Sequence, residues 1–355
     1  MRGWPNTGLC GYRAQGFGGE ALKRRARLRK RDILLITSIV LLVLAGLYFG
    51  AQWLENENAN PEPRGDYHLR YEDEQVTVNG VKYRQKKNLT TILFMGIDRA
   101  SDAVQGVGNR NGGQADFLRL IIIDHAEKTI SQLQIDRDTM TPITVLSALG
   151  NRSSTRTLQI SLSHGYGDGK EQSCQFTVDA VSNMLFNIPI NGYIAMNLDG
   201  INVLNDTLGG ITVTLEDDFS HIDPAMTKGT TLTLMGEQAE VFVRSRMSME
   251  VGTNEARMIR QQQYLSQMMD LLHEKVLKDE EFIGTLFDSL SPYLVTNVSR
   301  AQMINDAWTS RNYQMNPLYV PEGTHVIGAD GYMEFHADET ALEQMVLDLF
   351  YQKTK

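Results

Sequence analysis

An uncharged run of 22 residues near the N-terminus constrains this chain more than any other feature. It extends from Ile33 to Leu54 and is long enough to cross a hydrocarbon core of roughly 30 Å as a helix. Tyr48 and Trp53 lie near its far end, and aromatic side chains favour the membrane interface. We predict a transmembrane helix over residues 33–54 rather than a cleaved signal peptide, because no clear A-x-A cleavage site follows the run.

Charge is distributed unevenly on the two sides of this run. Residues 1–32 contain nine of the 34 Lys and Arg residues against two acidic residues, which leaves 25 basic and 41 acidic residues in the remainder. A basic flank is retained in the cytoplasm, so everything after Leu54 is expected outside the cell. The acidic body argues against nucleic-acid binding, because nothing offsets its repulsion from phosphates. Cys10 and Cys174 are then expected on opposite sides of the membrane, which excludes a disulfide between them.

Apolar periodicity after the span predicts a linker followed by a globular α/β body. Residues 55–66 are polar and contain two prolines, which is typical of a linker. Strands are predicted over 91–97, 117–124, 129–135, 193–197 and 211–215, and helices over 176–186, 198–208 and 254–278. Gly209 and Gly210 should end the second of these helices. Residues 329–351 predict a strand and then an amphipathic helix packed on the body. This alternation favours an α/β sandwich with a mixed sheet.

Acidic residues, arginines and one glutamine stand out as candidate site residues in the body. They are Asp98, Asp116, Arg137, Asp138, Arg244, Arg246, Arg257, Arg260 and Gln261. Asp98 and the pair Arg137-Asp138 directly follow predicted strands, at the positions where α/β folds usually bind ligands. Arginine forks bind phosphate oxygens and carboxylates bind Mg²⁺, so the set is typical of a pyrophosphate site with a cation. The alternative is a solvated surface on which these arginines pair with acids.

The spacing of the later basic residues supports the phosphate interpretation. Arg257, Arg260 and Gln261 lie at i, i+3 and i+4 of the long predicted helix and therefore share one face. Arg244 and Arg246 project from one face if their segment is extended. Motifs of other enzyme classes, such as G-x-S-x-G, H-E-x-x-H or a P-loop, are absent from the sequence. Chemistry outside the cell cannot draw on ATP, so an enzyme there must use an activated substrate or hydrolysis.

Seven segments in order between about residues 90 and 275 carry a resemblance to a known family. They are TILFMGID, QADFLRLIIID, IDRDTM, LSHGYGDG, NDTLGGITV, LMGEQAEVFVRSR and NEARMIRQQQ. As an ordered set they resemble the LytR-CpsA-Psr family of wall-glycopolymer ligases, and the basic tail and single span match its architecture. Members of that family transfer a glycopolymer, such as teichoic acid or capsule, from an undecaprenyl pyrophosphate carrier onto peptidoglycan.

The resemblance implies a fold, a reaction and roles for individual residues. The fold would be an α/β/α sandwich with a mixed central sheet and an apolar pocket for the prenyl chain, preceded by the transmembrane helix. Asp98 and Asp116 match acids associated with Mg²⁺ or Mn²⁺, and Asp98, Asp116 or Asp138 would be the base for the attacking hydroxyl. The residues that match the pyrophosphate-binding set are Arg137, Arg244, Arg246, Arg257 and Gln261, with Arg260 in the same R-x-x-R-Q motif.

Three positions depart from the family pattern. The R-x-D motif contains Gln114 in place of arginine, Asp136 replaces the usual proline before Arg137, and Asn254 replaces the usual acid of D-x-x-R. Arg119 is unusual because strand alternation places it among apolar neighbours. It is expected either to pair with a nearby acid or to supply the charge that Gln114 lacks, in the same pocket as Arg137.

The predicted organisation is a basic cytoplasmic tail over 1–32, a transmembrane helix over 33–54 and a linker and lead-in over 55–85. A catalytic domain over 86–280 and a C-terminal extension over 281–355 packed on it complete the chain. The predicted function is a phosphotransferase in the bacterial cell membrane, with undecaprenyl pyrophosphate-linked glycopolymer and peptidoglycan as partners. Two alternatives stay open at this point: a pyrophosphate hydrolase of lipid-linked polymers, and a non-catalytic envelope sensor or transcription attenuator.

Overall fold

A computed structural model describes residues 75–99, 112–146, 152–245 and 254–354, without the side chains of 152–153 and 254–258. The predicted tail and span, residues 1–54, lie outside the described residues and stay predictions. Within the described ranges no helix combines the length and the apolar character needed to cross a membrane.

The secondary structure alternates strands and helices along the described residues. In chain order the strands are β1 (Gln75–Val78), β2 (Val81–Gln85), β3 (Leu89–Ile97), β4 (Ala115–Asp124), β5 (Thr129–Ile135), β6 (Met140–Leu146), β7 (Arg152–Gln159), β8 (Gly192–Asn197), β9 (Ile211–Thr214), β10 (Thr231–Leu234), β11 (Leu294–Thr296), β12 (Gln314–Tyr319), β13 (Gly323–Ile327), β14 (Met333–Ala337) and β15 (Tyr351–Lys353). The helices are α1 (Leu162–Gly165), α2 (Glu171–Met184), α3 (Gly200–Leu208), α4 (Glu237–Arg244), α5 (Asn254–Lys278), α6 (Phe282–Leu290), α7 (Arg300–Ser310) and α8 (Glu339–Phe350).

A six-stranded sheet in the order β11-β8-β3-β4-β5-β12 forms the centre of the fold. The pairs β3/β4, β4/β5 and β8/β11 are antiparallel, whereas β3/β8 and β5/β12 are parallel. The mixed central sheet predicted from the sequence is therefore confirmed. Because β3, β4 and β5 are successive antiparallel strands, the end of β3, the start of β4 and the end of β5 meet at one edge of the sheet.

One face of this sheet carries the main hydrophobic core. Leu93 of β3 and Leu118 of β4 are fully buried, and they share this core with Val181 of α2 and with Val346 and Phe350 of α8. Fully burying an aliphatic or aromatic side chain of this size contributes about 1.5–3 kcal/mol. The C-terminal helix thus packs on the body, as predicted.

The opposite face of the sheet is covered less completely. Ile92 of β3, Ile194 of β8 and Val298 form a small buried cluster there, with Met303 of α7 packed against it. Phe94, the next residue of β3 on this face, is exposed. Helices therefore lie on both faces of the sheet, but apolar surface stays open beside β3 and β4.

A second hydrophobic cluster joins the short β9/β10 pair to α3, α4 and α5. Its buried members include Ile211, Phe219, Phe242 and Tyr264. The turn from α3 into β9 is closed as predicted by Gly209, which has a φ of 86° and whose N–H donates to the Asp206 carbonyl at 3.0 Å. This cluster fixes α4 and α5, the two helices that carry most of the later arginines.

Most predicted elements are confirmed with small shifts at their ends. The predicted helix 176–186 begins earlier, at Glu171, and ends at Met184, because Phe186 and Asn187 adopt positive φ values. The predicted division at residue 280 does not separate two structural units. Strands β11 and β12, on the far side of it, are the two edge strands of the central sheet.

Candidate active site

Polar residues from three strand ends gather at one edge of the central sheet. Asp98 follows β3, Asp116 lies at the start of β4, and Arg137 lies two residues past β5. The β3–β4–β5 meander brings these positions together although they are up to 39 residues apart in the chain. The predicted acids and the first predicted arginine therefore share one site.

Asp98 is tied to the segment that leads into β4. The backbone N–H of Gln114 donates to the Asp98 carboxylate at 2.5 Å, and the Asp98 N–H donates to the Gln114 carbonyl at 3.0 Å. Gly113 makes this approach possible, because it has a φ of +76° and a Cβ at this position would lie 2.8 Å from the Ile97 side chain. A glycine is therefore required where the chain returns to the site.

Arg137 is the centre of the cluster. One guanidinium nitrogen donates to the Asp116 carboxylate in an ion pair, and another donates to the Gln114 side-chain oxygen at 2.6 Å. Its Nε lies 3.4 Å from Asp138. Gln114 occupies the position of the arginine in the R-x-D motif. Its side-chain oxygen accepts a hydrogen bond from Arg137.

Asp138 is a buried carboxylate whose surroundings change its pKa. Its side chain is mostly buried, and this burial raises the pKa of Asp138 above its ordinary value, whereas the neighbouring Arg137 acts in the opposite direction. A buried carboxylate with a raised pKa beside an arginine is a candidate proton acceptor.

Asp136, the residue in place of the family proline, binds a residue that the sequence did not indicate. One of its oxygens accepts the Asp138 N–H at 2.8 Å, and the other lies 2.8 Å from Nε2 of His325 in β13. Almost 190 residues separate the two partners, and no motif links them. His325 reaches this edge because β12 pairs in parallel with β5 and β13 follows β12 directly. Without knowledge of that pairing, the sequence does not indicate His325.

His164 is a second residue that was not assigned to the site. It lies in α1, is buried, and has Nδ1 3.3 Å from the Gly113 carbonyl. Burial lowers the pKa of His164, which favours the neutral ring. The imidazole therefore contacts the backbone of the Gly113 turn.

Arg119 is 5% exposed and forms no ion pair with a described residue. Its guanidinium donates to the side-chain oxygens of Gln134 (2.7 and 3.1 Å), Gln132 (3.1 Å) and Gln262 (3.3 Å). The expected pairing with an acid is absent from the described residues, and burial lowers the pKa of Arg119 to about 10. Its cross-strand partner is Phe94, so it lies on the sheet face that is partly open.

Arg244 does not lie on an extended segment, so that premise of the sequence analysis was wrong. Residues 237–244 form α4, because Ala239, Phe242 and Val243 supply a buried stripe at helical spacing. Arg244 is exposed at the last turn and pairs with Glu240 one turn earlier. Arg246 and the side chain of Arg257 lie outside the described residues.

Arg260 and Gln261 close the C-terminal end of α4. Arg260 donates to the Phe242 carbonyl at 3.1 Å, and Gln261 donates to the Val243 carbonyl at 3.1 Å. These carbonyls belong to the last turn of α4, where intrahelical donors run out. Arg260 also donates to Asp217 at 2.6 Å and to the Ser245 carbonyl. Its guanidinium is thus fully engaged by the protein rather than directed at the Arg137 cluster.

Asp98 and Asp116 are the predicted ligands of a cation. The described residues contain no group of three or more Asp, Glu, His or Cys side chains arranged to hold a metal ion. Asp98 and Asp116 supply two carboxylates. Mg²⁺ commonly uses one or two protein carboxylates and completes its shell with water and substrate phosphates. The pair is therefore suited to a cation that binds together with a phosphate group.

The chain is similar to known proteins of one family. Residues 60–350 match the sequence profile of the LytR_cpsA_psr family. Two relatives from Bacillus subtilis strain 168 are named polyisoprenyl-teichoic acid–peptidoglycan teichoic acid transferases. TagV is 26% identical over 324 residues, which cover 89% of this chain and 76% of TagV. TagU is 26% identical over 334 residues, which cover 92% of this chain and 98% of TagU. The crystal structure of B. subtilis TagV matches with a TM-score of 0.53 and 25% identity, over 74% of this chain and 96% of that one.

Proposed function

The chain belongs to the LytR-CpsA-Psr family, and from this we propose that it is a membrane-anchored glycopolymer–peptidoglycan phosphotransferase. Its donor is a glycopolymer on undecaprenyl pyrophosphate, and its acceptor is peptidoglycan outside the cytoplasmic membrane. The names of TagU and TagV support the reaction class. The uncharged run over 33–54 and its basic flank support the anchoring and the orientation.

The observation that carries the proposal is the Arg137 cluster. A guanidinium held between Asp116 and Asp138, with Asp98 tied to the same edge through Gln114, combines phosphate-binding and cation-binding groups in one place. A site that only packs the fold would not need a partly exposed arginine between two carboxylates at a sheet edge.

The reaction follows from these groups. A sugar hydroxyl of peptidoglycan attacks the phosphorus nearest the glycopolymer, a new P–O bond forms, and the bond to the carrier phosphate breaks, so undecaprenyl phosphate leaves. Arg137 stabilises the charge that develops on the transferred phosphoryl group. Arg244, Arg246 and Arg257 add positive charge to the same substrate, whereas Arg260 and Gln261 hold the end of α4 that carries Arg244.

We assign Asp138 as the base that accepts the proton of the attacking hydroxyl. A general base is most effective when its pKa approaches the working pH, and burial raises the pKa of Asp138 in that direction. Asp116 is less suited, because its carboxylate is held in the ion pair with Arg137. Mg²⁺ or Mn²⁺ held by Asp98 and Asp116 would neutralise pyrophosphate oxygens.

The test is a transfer assay with the full chain in proteoliposomes that contain the lipid-linked polymer, with peptidoglycan added. Arg137→Ala should lower the rate of polymer attachment by roughly 10²–10³, the usual cost of removing a donor to transition-state charge. The control is Arg300→Ala, which removes an exposed arginine paired with Asp288 and should change little. Release of free polymer without attachment would identify a hydrolase instead, and an unchanged rate in folded Arg137→Ala would remove Arg137 from the site.

A further inference from the structure

A hairpin at the active-site edge exposes apolar side chains at its tip. It consists of β13 and β14, which are paired over five residues each. The exposed fractions at the tip are 74% for Ile327, 66% for Tyr332, 43% for Val326 and 42% for Met333. Ile327 and Met333 are cross-strand partners on one face of the hairpin, whereas Val326 lies on the other face. Isolated exposed apolar residues are common on protein surfaces, but Ile327 and Met333 with Tyr332 at the turn beside them form a patch that indicates a partner.

The hairpin is fixed to the segment that carries Arg137 and to the end of β7. The Phe335 N–H donates to the Asp138 carbonyl at 2.8 Å, and the Gln159 side chain donates to the Met333 carbonyl at 2.5 Å. His325 reaches Asp136, and its ring packs against buried Phe335 with 4.8 Å between centroids. Met333 pairs with Ile327 next to the turn, and Phe335 lies only two residues further on, so these contacts hold the hairpin close to its turn. The tip is therefore held at a constant position relative to the candidate site.

We propose that the hairpin tip docks into the outer surface of the cytoplasmic membrane and presents the Arg137 cluster to lipid-borne pyrophosphate. This inference rests on the proposed function, because a donor with a polyprenyl tail places its pyrophosphate at the bilayer surface. The tip has the composition of an interfacial contact, with aliphatic side chains for the acyl boundary and a tyrosine for the headgroup layer.

The length of the linker predicted from the sequence explains why a second contact with the membrane would be needed. Residues 55–74 connect the predicted span to β1 and can extend at most about 70 Å. This upper bound on the length of the connection does not by itself fix the distance between the body and the bilayer. A second contact beside the site would keep the body at the depth of the donor phosphates.

The charges near the tip favour a shallow contact driven by apolar burial. Asp330 is the acid of the turn, and its carboxylate accepts the Tyr332 N–H at 3.3 Å. Glu334 and His336 pair with each other at 2.8 Å on the strand face opposite His325. Because the tip residues 326–333 contain no Lys or Arg, the contact should depend little on anionic lipid or on salt.

Fluorescence quenching tests the contact directly. Ile327→Cys in a Cys10→Ser background would be labelled with an NBD fluorophore and the full chain reconstituted in liposomes with brominated phosphatidylcholine. Native Cys174 should not label, since it is fully buried and burial raises the pKa of its thiol to about 12. Met235→Cys, at a side chain that is 49% exposed in another part of the body, is the matched control.

The expected result is a blue-shifted emission and strong quenching at position 327, with neither at position 235. Equal signals at both positions would overturn the proposal. So would a label at 327 that responds only to added peptidoglycan fragments or to protein concentration, because the partner would then be the acceptor glycan or a second copy of the chain.

A transfer assay separates this proposal from the proposed function. The double variant Ile327→Asp with Tyr332→Ser should lower transfer from a bilayer-borne donor by about tenfold, the effect of exposing one aliphatic side chain to water. Transfer from a water-soluble, short-chain prenyl pyrophosphate donor should stay within twofold of the unaltered chain. Equal losses with both donors would make the hairpin part of the catalytic structure and overturn the docking role. If the unaltered chain shows no transfer, the proposed function fails, and the quenching result still decides the membrane contact.

Discussion

Replacing Arg260 by alanine should destabilise the fold rather than remove a substrate contact. The Arg260 guanidinium is 4% exposed and donates to the Asp217 carboxylate and to the carbonyls of Phe242 and Ser245. The substitution would leave one carboxylate and two carbonyl groups without their donor in a buried environment. It would also remove the cation that lies at the C-terminal end of α4, where positive charge is favourable.

The size of the effect follows from the burial of the pair. Removing one partner of a buried ion pair costs about 3–5 kcal/mol, and Asp217 retains some solvent contact, so we expect about 3 kcal/mol. For a body of this size, each kcal/mol lowers the melting temperature by about 2–4 °C, which gives a decrease of roughly 6–12 °C.

Thermal unfolding of the full chain in detergent, followed by intrinsic fluorescence, measures this decrease. Arg300→Ala should shift the melting temperature by less than about 2 °C, because an exposed pair contributes at most about 1 kcal/mol. Arg260→Met combined with Asp217→Leu should recover much of the loss, since no uncompensated carboxylate remains. An Arg260→Ala protein with an unchanged melting temperature and weakened donor binding would refute this reasoning and return Arg260 to the pyrophosphate site.

Three further predictions concern topology, the base and Arg119. In intact, wall-permeabilised cells, Asn60→Cys should react with a membrane-impermeant thiol reagent while native Cys10 does not; labelling of Cys10 alone would reverse the orientation. Asp138→Asn should abolish the acidic limb of the pH–rate profile, and because burial raises the pKa of Asp138, that limb should begin at a higher pH than for an ordinary aspartate. A limb that persists in the variant would exclude Asp138 as the base. Arg119→Met should lower stability by about 1–3 kcal/mol by leaving three glutamine oxygens without a donor, and should raise KM for the donor. Lost stability with an unchanged KM would assign Arg119 to sheet packing alone.

The sequence was most informative where one apolar pattern determines one element. The strands β3 and β4 are largely apolar runs of nine and ten residues, β5 alternates polar and apolar residues from Gln132 onward, and the 25-residue α5 has helical spacing. Because ligand-binding residues follow such strands directly, Asp98 and Arg137 could be placed at one sheet edge from the sequence.

Local patterns were insufficient where long-range pairing decides the structure. Strands β11 and β12 are short and only partly buried, so nothing in their composition marked them as edges of the central sheet. The Asp136–His325 pair and the glutamines around Arg119 depend on contacts between distant elements for the same reason. The segment Phe242–Arg244 fits either period, and packing of Phe242 and Val243 in the second cluster selects the helix.

The last residues of the chain complete structures that begin with its first described strand. Strand β15 pairs with β2, and Leu342, Val346 and Phe350 of α8 fill the core beneath β3. With the orientation predicted from the sequence, the part of the chain after Leu54 crosses the membrane, and its core cannot close until about residue 350 has crossed. The body should therefore stay open to proteases and chaperones throughout translocation, and deletion of the last 17 residues should yield an unfolded product rather than a shortened enzyme.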